Sequence, residues 1–400
     1  MNSLYCFYDM QVSPCSYDFF TFIYSAEICR IRRGLKGIKL ILVKGPNHNF
    51  RQDQIRTRDQ NETFFQNVIV PGISLIPSCE SFMWLSREEA SLNIQKENIF
   101  PKGYSTHRPT NEYCGEELAA SKIRQDDISF FEAPRYATAI ADQFIDQKVG
   151  NKAFITLTTR EIQRDDVNLT RQIDLDFWNS TIEKLNSLGF KTVLIRDTAK
   201  AFSDKILDGA IEAPIASVHL PTRMALYDKA QLNLTKNNGP AILQLFGKTN
   251  CMLFSEFDED VVALSSRWFA DKFGMSEGSQ FPMTTKNKTF YWEAGDSKKT
   301  LDQIEASLLT KTQIAPNHTF HDEVNYLNTV TVGLRHLIKS LNFSPLHEDF
   351  SLYRALENYN RKQKFTDNLL ELIASQRGNG LDGDAFEEFV SQLPLISPAI

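Results

Sequence analysis

Two arginines follow directly on a short apolar run: Ala153-Phe154-Ile155-Thr156-Leu157 leads into Arg160-Glu161-Ile162-Gln163-Arg164. A guanidinium at the carboxyl end of a parallel strand offers a planar fork of donors that matches a phosphate group. Further along, Lys236-Asn237-Asn238-Gly239-Pro240 separates the apolar-rich run Ala230–Thr235 from a short apolar segment of helical character, Ala241–Phe246. Glycine there admits φ > 0, proline suits a first helical position, and Asn237 or Asn238 supplies a side-chain oxygen for the cap. The turn therefore predicts a helix start with free N–H groups at a strand's carboxyl end, where α/β proteins hold anions. Arginines and helix start, set in one predicted domain, would grip a diphosphate from two sides. A solvated charged loop is the plainer alternative for the arginines. Asp197 ends the run Lys191–Arg196. Nucleotide-binding sheets often place a ribose-contacting carboxylate there, and a turn-forming aspartate is the alternative.

Nearer the start, Asp9 closes the apolar run Leu4–Tyr8. A carboxylate in that position suits a general base acting on an acceptor hydroxyl. His48, in the loop Gly45-Pro46-Asn47-His48-Asn49-Phe50-Arg51, is a second candidate to bind an acceptor or move a proton. Between Arg30 and Arg58 nine Lys and Arg stand against one acid, Asp53, in a chain whose net charge is -6. Such a stretch attracts a phosphorylated acceptor or an anionic membrane surface, although Arg30–Arg33 also complement a helix C-terminus.

Metal-ligand patterns are weak. His318 and His321 are spaced i, i+3 with no third ligand in view. Asp174-Leu175-Asp176 and Asp258-Glu259-Asp260 match an Asp-x-Asp pattern only loosely, and Asp382 falls where a calcium loop needs glycine. No resident metal or cofactor is expected. No Gly-x-Gly-x-x-Gly, Walker or Gly-x-Ser-x-Gly sequence is present.

Alternating elements must position these groups. Leu4–Tyr8 reads as a strand, Tyr17–Arg33 as a helix stopped by Gly34, and Ile38–Val43 as a second strand. That opening implies a right-handed βαβ unit in a parallel sheet. Val68–Pro71 and Ile73–Ile76 read as further strand material, Arg87–Glu97 as helix, and Asn98–Phe100 as strand. Pro134–Lys148 reads as a connecting helix, after which the alternation restarts: strand Ala153–Leu157, helix Leu175–Leu188, strand Lys191–Arg196. Two α/β units are expected, at residues 1–150 and 151–312, with a helical tail over 313–400.

Composition bounds the rest. Four hundred residues at 42% hydrophobic can bury more than one core. The six cysteines are scattered without a Cys-x-x-Cys pair, as in a cytosolic protein with reduced thiols. No run approaches the roughly 18 apolar residues of a membrane span, and Met1–Tyr5 does not read as a signal peptide. A cytoplasmic location is expected, with peripheral contact at the inner face of the membrane through Arg30–Arg58. Nothing points to nucleic acid.

The tract Leu226-Tyr227-x-x-Ala230, Asn237-Asn238-Gly239-Pro240, Leu243, Gly247-Lys248, Leu253-Phe254 resembles the donor-site segment of bacterial heptosyltransferase-like enzymes of the GT-B type. The strand followed by Arg160 resembles the arginine-bearing loop of fucosyltransferase-like members. Phe290-Tyr291-Trp292 with a helix from Leu301 resembles the end of their second domain. The opening, Phe7-Tyr8-Asp9 through Gly45-Pro46, looks like that of uncharacterised bacterial relatives. Asn238 stands where heptosyltransferases usually carry Ser, and the first-strand loop lacks their Gly-Asp pair. The resemblance implies two facing Rossmann-like domains, one for an acceptor and one for a nucleotide-sugar co-substrate. It also implies metal-independent transfer of a hexose or heptose to a surface-glycan or lipid-linked acceptor in polysaccharide biosynthesis. A nucleotide-sugar epimerase of the same fold, or a non-catalytic nucleotide-sugar-binding or scaffold protein, is the alternative.

Overall fold

A computed structural model describes residues 2–52, 56–94, 97–110, 129–161, 174–254, 265–281, 288–292 and 297–309, with a few isolated positions besides. The chain forms two compact units. The first comprises residues 1–114, 129–256 and 286–314 and contains both β-sheets.

The first sheet holds β1 (Ser3–Asp9), β2 (Gly37–Val43), β3 (Cys79–Leu85) and β4 (Ile99–Phe100), all parallel, in the order β3-β2-β1-β4. β1 is buried along its whole length and β2 at all but Lys39. Near-continuous apolar runs of this kind belong to parallel strands covered on both faces. Helix α1 (Asp18–Arg32) returns the chain from β1 to β2. Asp18 in its first turn and Arg30 and Arg32 in its last complement the helix dipole. Gly34, at φ 64°, turns the chain out.

Val68–Pro71 is helical, not strand, and Ile73–Ile76 is the helix end and a turn. Thr57 and Gln60 form a reciprocal capping box that starts α2 (Arg58–Phe64). The helix runs on through a π-helical turn, Phe65–Ile69, into Val70–Ile73. Burial of Val68, Ile69 and Ile73 outweighs their local strand preference. The strand that sequence reading passed over is β3, an edge strand whose residues are half-buried or exposed. A second capping box, Ser86 with Glu89, starts α3 (Arg87–Ser91), which ends sooner than its sequence suggests.

Helix α4 (Arg135–Phe144) leads through a π-helical turn to Gly150, at φ 71°, and into the second sheet. That sheet holds β5 (Phe154–Thr158), β6 (Lys191–Ile195), β7 (Ile211–Glu212), β8 (Leu232–Lys236), β9 (Cys251–Phe254) and β10 (Lys288–Tyr291). All pairings are parallel, in the order β10-β9-β8-β5-β6-β7. Between these strands run α5 (Leu175–Ser187, capped by the Asp174 side chain), α6 (Leu220–Lys229) and α7 (Ala241–Leu245). In the second unit lies α8 (Ser266–Phe273), capped by Ser265 and closed by Gly274 in the left-handed region. Back in the first unit, α9 (Ser297–Leu309) follows β10. Ile155, Leu157, Trp178, Ile182, Leu194, Leu234, Met252 and Ile304 form the core of the second half.

Counted from its own first strand, the second sheet runs 6-5-4-1-2-3, the doubly wound order of dinucleotide-binding domains. The strand order reverses between β5 and β8. The first sheet runs 3-2-1-4 and reverses between β1 and β4. These are the two Rossmann-like halves that the resemblance implies. Helix α1 joins them: Tyr24 stacks on Phe246 with centroids 4.5 Å apart, and Phe20 meets Phe131 edge-on at 5.2 Å. The helical tail expected over 313–400 lies outside the described residues apart from a few positions.

Candidate functional site

In doubly wound sheets, ligands bind outside the carboxyl ends of the strands where the order reverses. Thr158 of β5 pairs with Thr235 of β8, so Arg160 and Asn237 each lie two residues past a matched pair, at the same end of the sheet. The strand register therefore puts Arg160 and the start of the Asn237–Pro240 turn at one end of the sheet. Arg160 is half-buried, and Arg164 lies outside the described residues.

The turn itself differs from expectation in two ways. Gly239 is not in the left-handed region. Its lack of a side chain serves close approach, because a Cβ there would stand 2.5 Å from Cδ2 and 2.8 Å from Cγ of Tyr17. The amides of the first turn of α7 are also already used. Ala241 N donates to the Asn238 side-chain oxygen (3.1 Å), Ile242 N to Gly239 O (3.2 Å) and Leu243 N to Pro240 O (3.1 Å). Asn238 thus supplies the cap. The tight turn closes on itself and leaves these amides no vacancy for an anion.

Positive charge at this end of the sheet comes instead from buried guanidinium groups. Arg196, 3% exposed, follows β6 directly and grips Glu161 with both arms (Nε–Oε1 2.9 Å, Nη2–Oε2 2.6 Å). Its remaining nitrogen donates to Ser203 O and Asp204 O at 3.1 and 2.8 Å. The bond with Glu161 holds Arg196 above its ordinary pKa despite burial. Glu161 N in turn donates to Asp197 Oδ2 (2.6 Å), which ties the ends of β5 and β6 together and accounts for one lobe of the Asp197 carboxylate.

Arg223 lies on α6 and is also 3% exposed. Its partners are three carbonyl oxygens, those of Ala216 (2.8 Å), Ser217 (3.2 Å) and Arg196 (3.3 Å), and the Tyr17 hydroxyl (3.2 Å). No carboxylate is among them. Burial works against this charge, but the Tyr17 and Tyr227 phenols and Asp197 leave its pKa raised. Burial pushes the Tyr17 phenol up to about 12, against the pull of Arg223. Tyr17 enters from the loop of the first sheet and lies across Gly239.

The other reversal, between β1 and β4, is closed. Asp9 is 0% exposed and accepts from Arg87 Nη2 (2.8 Å), Tyr104 Oη (2.6 Å) and Gln11 N (2.9 Å). Burial and the bond to Asp9 raise the Tyr104 pKa, and its ring stacks on Phe7 at 4.6 Å. A general base must reach the proton that it takes. Both Asp9 oxygens are turned into the protein, and the geometry is that of an anchor. His48 is exposed, at φ 50°, on a tight loop closed by Gly45 N to Asn49 O (2.8 Å) and Asn47 N to Phe50 O (2.9 Å). Asp9 and Val43 are paired, so this loop starts beside Asp9.

Sequence reading missed Tyr17, Arg196 and Arg223. Arg196 had a signal: a cation next to a strand's carboxyl end. Arg223 had a fainter one, as a lone arginine within Leu220-Pro221-Thr222-Arg223-Met224-Ala225-Leu226. Nothing local marks Tyr17. Among the described residues no three His, Cys, Asp or Glu side chains gather to hold a metal. No described helix is long and apolar enough to cross a membrane.

No family model and no curated protein matches the chain. Solved structures do. A family 9 glycosyl transferase from Veillonella parvula is 10% identical, with 83% of this chain and 97% of that chain covered and a TM-score of 0.46. The ADP-heptose LPS heptosyltransferase II of E. coli is 9% identical, with 78% and 99% covered and a TM-score of 0.41. The E. coli heptosyltransferase WaaC with ADP is 12% identical, with 76% and 99% covered and a TM-score of 0.37. With TM-scores below 0.5, these likenesses assign no activity to this chain, whose architecture stands on its own two sheets.

Proposed function

We propose that the protein transfers a sugar from a nucleotide-diphosphate-sugar to a hydroxyl of a surface-glycan or lipid-linked acceptor. The observation that carries this reading is the strand-order reversal between β5 and β8, with Arg160, Arg196, Arg223 and Lys236 around it against Glu161, Asp197 and Glu212, the last 4.0 Å from Arg196. A diphosphate leaving group gains negative charge as the glycosidic bond breaks. Fixed guanidinium groups in a water-poor site stabilise that charge without reorganising. In this reading Arg160 and Arg164 contact the diphosphate, and Arg223 and Arg196 set the local potential from beneath. Asp197 meets the ribose, and Asn237, Asn238, Gly239 and Pro240 shape the wall of the pocket. The arginines do the work that a resident metal does elsewhere. In the first half, exposed His48 contacts the acceptor or takes its proton, and Asp9 braces the loop through Arg87 and Tyr104.

A thermal-shift screen against GDP, UDP, ADP and CDP tests the reading. One nucleotide at about a hundredfold excess over its Kd stabilises by about 2.7 kcal/mol, and Arg160→Ala removes that gain. No response to any of the four ends the proposal. The sealing of Asp9 favours one second reading, a nucleotide-sugar-binding protein without chemistry. That protein would respond in the screen but neither transfer nor hydrolyse a bound donor.

A further inference from the structure

Two hydrogen-bond donors stand side by side at the carboxyl end of the second sheet, and each has bonding capacity to spare. A guanidinium carries N–H groups on three nitrogens, one on Nε and a pair on each Nη. In Arg223, Nε donates to Ala216 O, and Nη2 to Ser217 O and Arg196 O. Nη1 meets the Tyr17 hydroxyl alone, at 3.2 Å, so its second N–H has no acceptor among the described residues. The Tyr17 hydroxyl accepts that bond, and no described residue accepts its own proton. Arg223 is 3% exposed, and a buried donor left open is costly. Asp197 acts on both groups from beyond bonding distance, and its Oδ2 is taken by Glu161 N (2.6 Å).

The pair is placed at the strand-order reversal. Arg223 holds the carbonyl of Arg196, which follows β6, and the Tyr17 ring lies against Gly239 in the turn after β8. β5 runs between β6 and β8, so the pair spans its carboxyl end, the end that Arg160 follows. Three carbonyls fix the guanidinium, and Gly239 and Phe20 (centroids 6.0 Å apart) seat the phenol ring. We propose that Arg223 Nη1 and the Tyr17 hydroxyl together hold one phosphoryl oxygen of the donor's diphosphate. The identity of that ligand rests on the transfer reading; the pairing of the two donors rests on geometry alone. A charged donor gives a strong bond to an anionic oxygen, and donors fixed in advance stabilise charge on a leaving group without reorganising. Arg223 then contacts the ligand as well as setting the potential beneath it. Tyr17, from the loop after β1, brings the first half of the chain into the donor site.

Calorimetry on the full chain with GDP, UDP, ADP, CDP, pyrophosphate and inorganic phosphate tests this. Tyr17→Phe keeps the ring against Gly239 and removes only the hydroxyl. It is expected to weaken pyrophosphate and the preferred nucleoside diphosphate by about tenfold or more, with the urea unfolding midpoint close to that of the parent. A hydroxyl with a structural role alone would lower that midpoint and leave both affinities unchanged, which overturns the proposal. A loss confined to inorganic phosphate assigns the pair to a phosphate on the acceptor and also overturns it. Pyrophosphate binding that Tyr17→Phe weakens, with no response to any nucleoside diphosphate, keeps the oxyanion pair and ends the donor reading instead. Binding of neither diphosphate by the parent chain ends both.

Discussion

The two places where strand order reverses are built on the same topology and filled in opposite ways. Between β1 and β4 a carboxylate sits at the centre and its cation and phenol answer it: Asp9 has Arg87 at 2.8 Å and Tyr104 at 2.6 Å. Between β5 and β8 guanidinium groups predominate, and Arg223 hydrogen-bonds only to carbonyl and phenol oxygens, with the Asp197 carboxylate acting on it from beyond bonding distance. The first arrangement is complete within the protein. The second leaves the Arg223 guanidinium with no carboxylate among its hydrogen-bond partners. Topology therefore names two possible pockets, and charge balance separates a brace from the end proposed to bind the donor.

The largest effect expected is on the closed side. Asp9→Ala leaves Arg87 and Tyr104 facing a void and lowers stability by about 3–5 kcal/mol, read from urea unfolding. If that variant keeps wild-type stability and loses transfer, the closed side is catalytic and the contrast collapses. On the open side, Gly239→Ala forces a Cβ onto the Tyr17 ring near its root, where the phenol cannot simply swing away. A loss of about 1–3 kcal/mol is expected, with weaker nucleoside diphosphate binding by calorimetry. Unchanged stability there would mean that Tyr17 does not rest on the turn. Asn238→Ala removes the cap of α7 and should cost about 1 kcal/mol. The smallest effect sharpens the contrast through pH. The Tyr17 phenol, pushed up to about 12, stays neutral at lower pH, and arginine stays charged. Tyr17 and the arginines therefore contribute no change in nucleotide affinity between about pH 6 and 9. A fall in affinity toward pH 9 would implicate a group other than these.

Much of this was readable from the chain. β1, β2, β5 and β6 announce themselves as apolar-rich runs, because parallel strands covered on both faces need such runs; α1 shows itself as a largely apolar helix stopped by Gly34, and α5 as a one-sided helix capped by Asp174. β3 was not readable. Cys79-Glu80-Ser81-Phe82-Met83-Trp84-Leu85 is an edge, lacks that burial, and so lacks the pattern. Val68–Ile76 misled in the other direction, because the signal that decides it is the Thr57–Gln60 capping box upstream. At the site, Arg160 and the Asn-Asn-Gly-Pro turn were legible as neighbours at one sheet end. What Gly239 is for was not. The need for glycine comes from Tyr17, far away in the chain, and no local rule reports a contact across the fold. Asp9 was legible as a strand-ending acid, but the partners that seal it, Arg87 and Tyr104, come from well downstream.

One consequence concerns how the chain assembles as it is made. In each half the strand that lies at the turning point is also the first to be synthesised: β1 waits for Ile99 and β5 for Leu232 before their second flank is paired. Over that interval the nascent sheet offers an unsatisfied apolar ladder, and such distant pairings form slowly. The wait is longer for β1, so a ribosome-associated chaperone would find its sticky target there, on the side that β4 later covers.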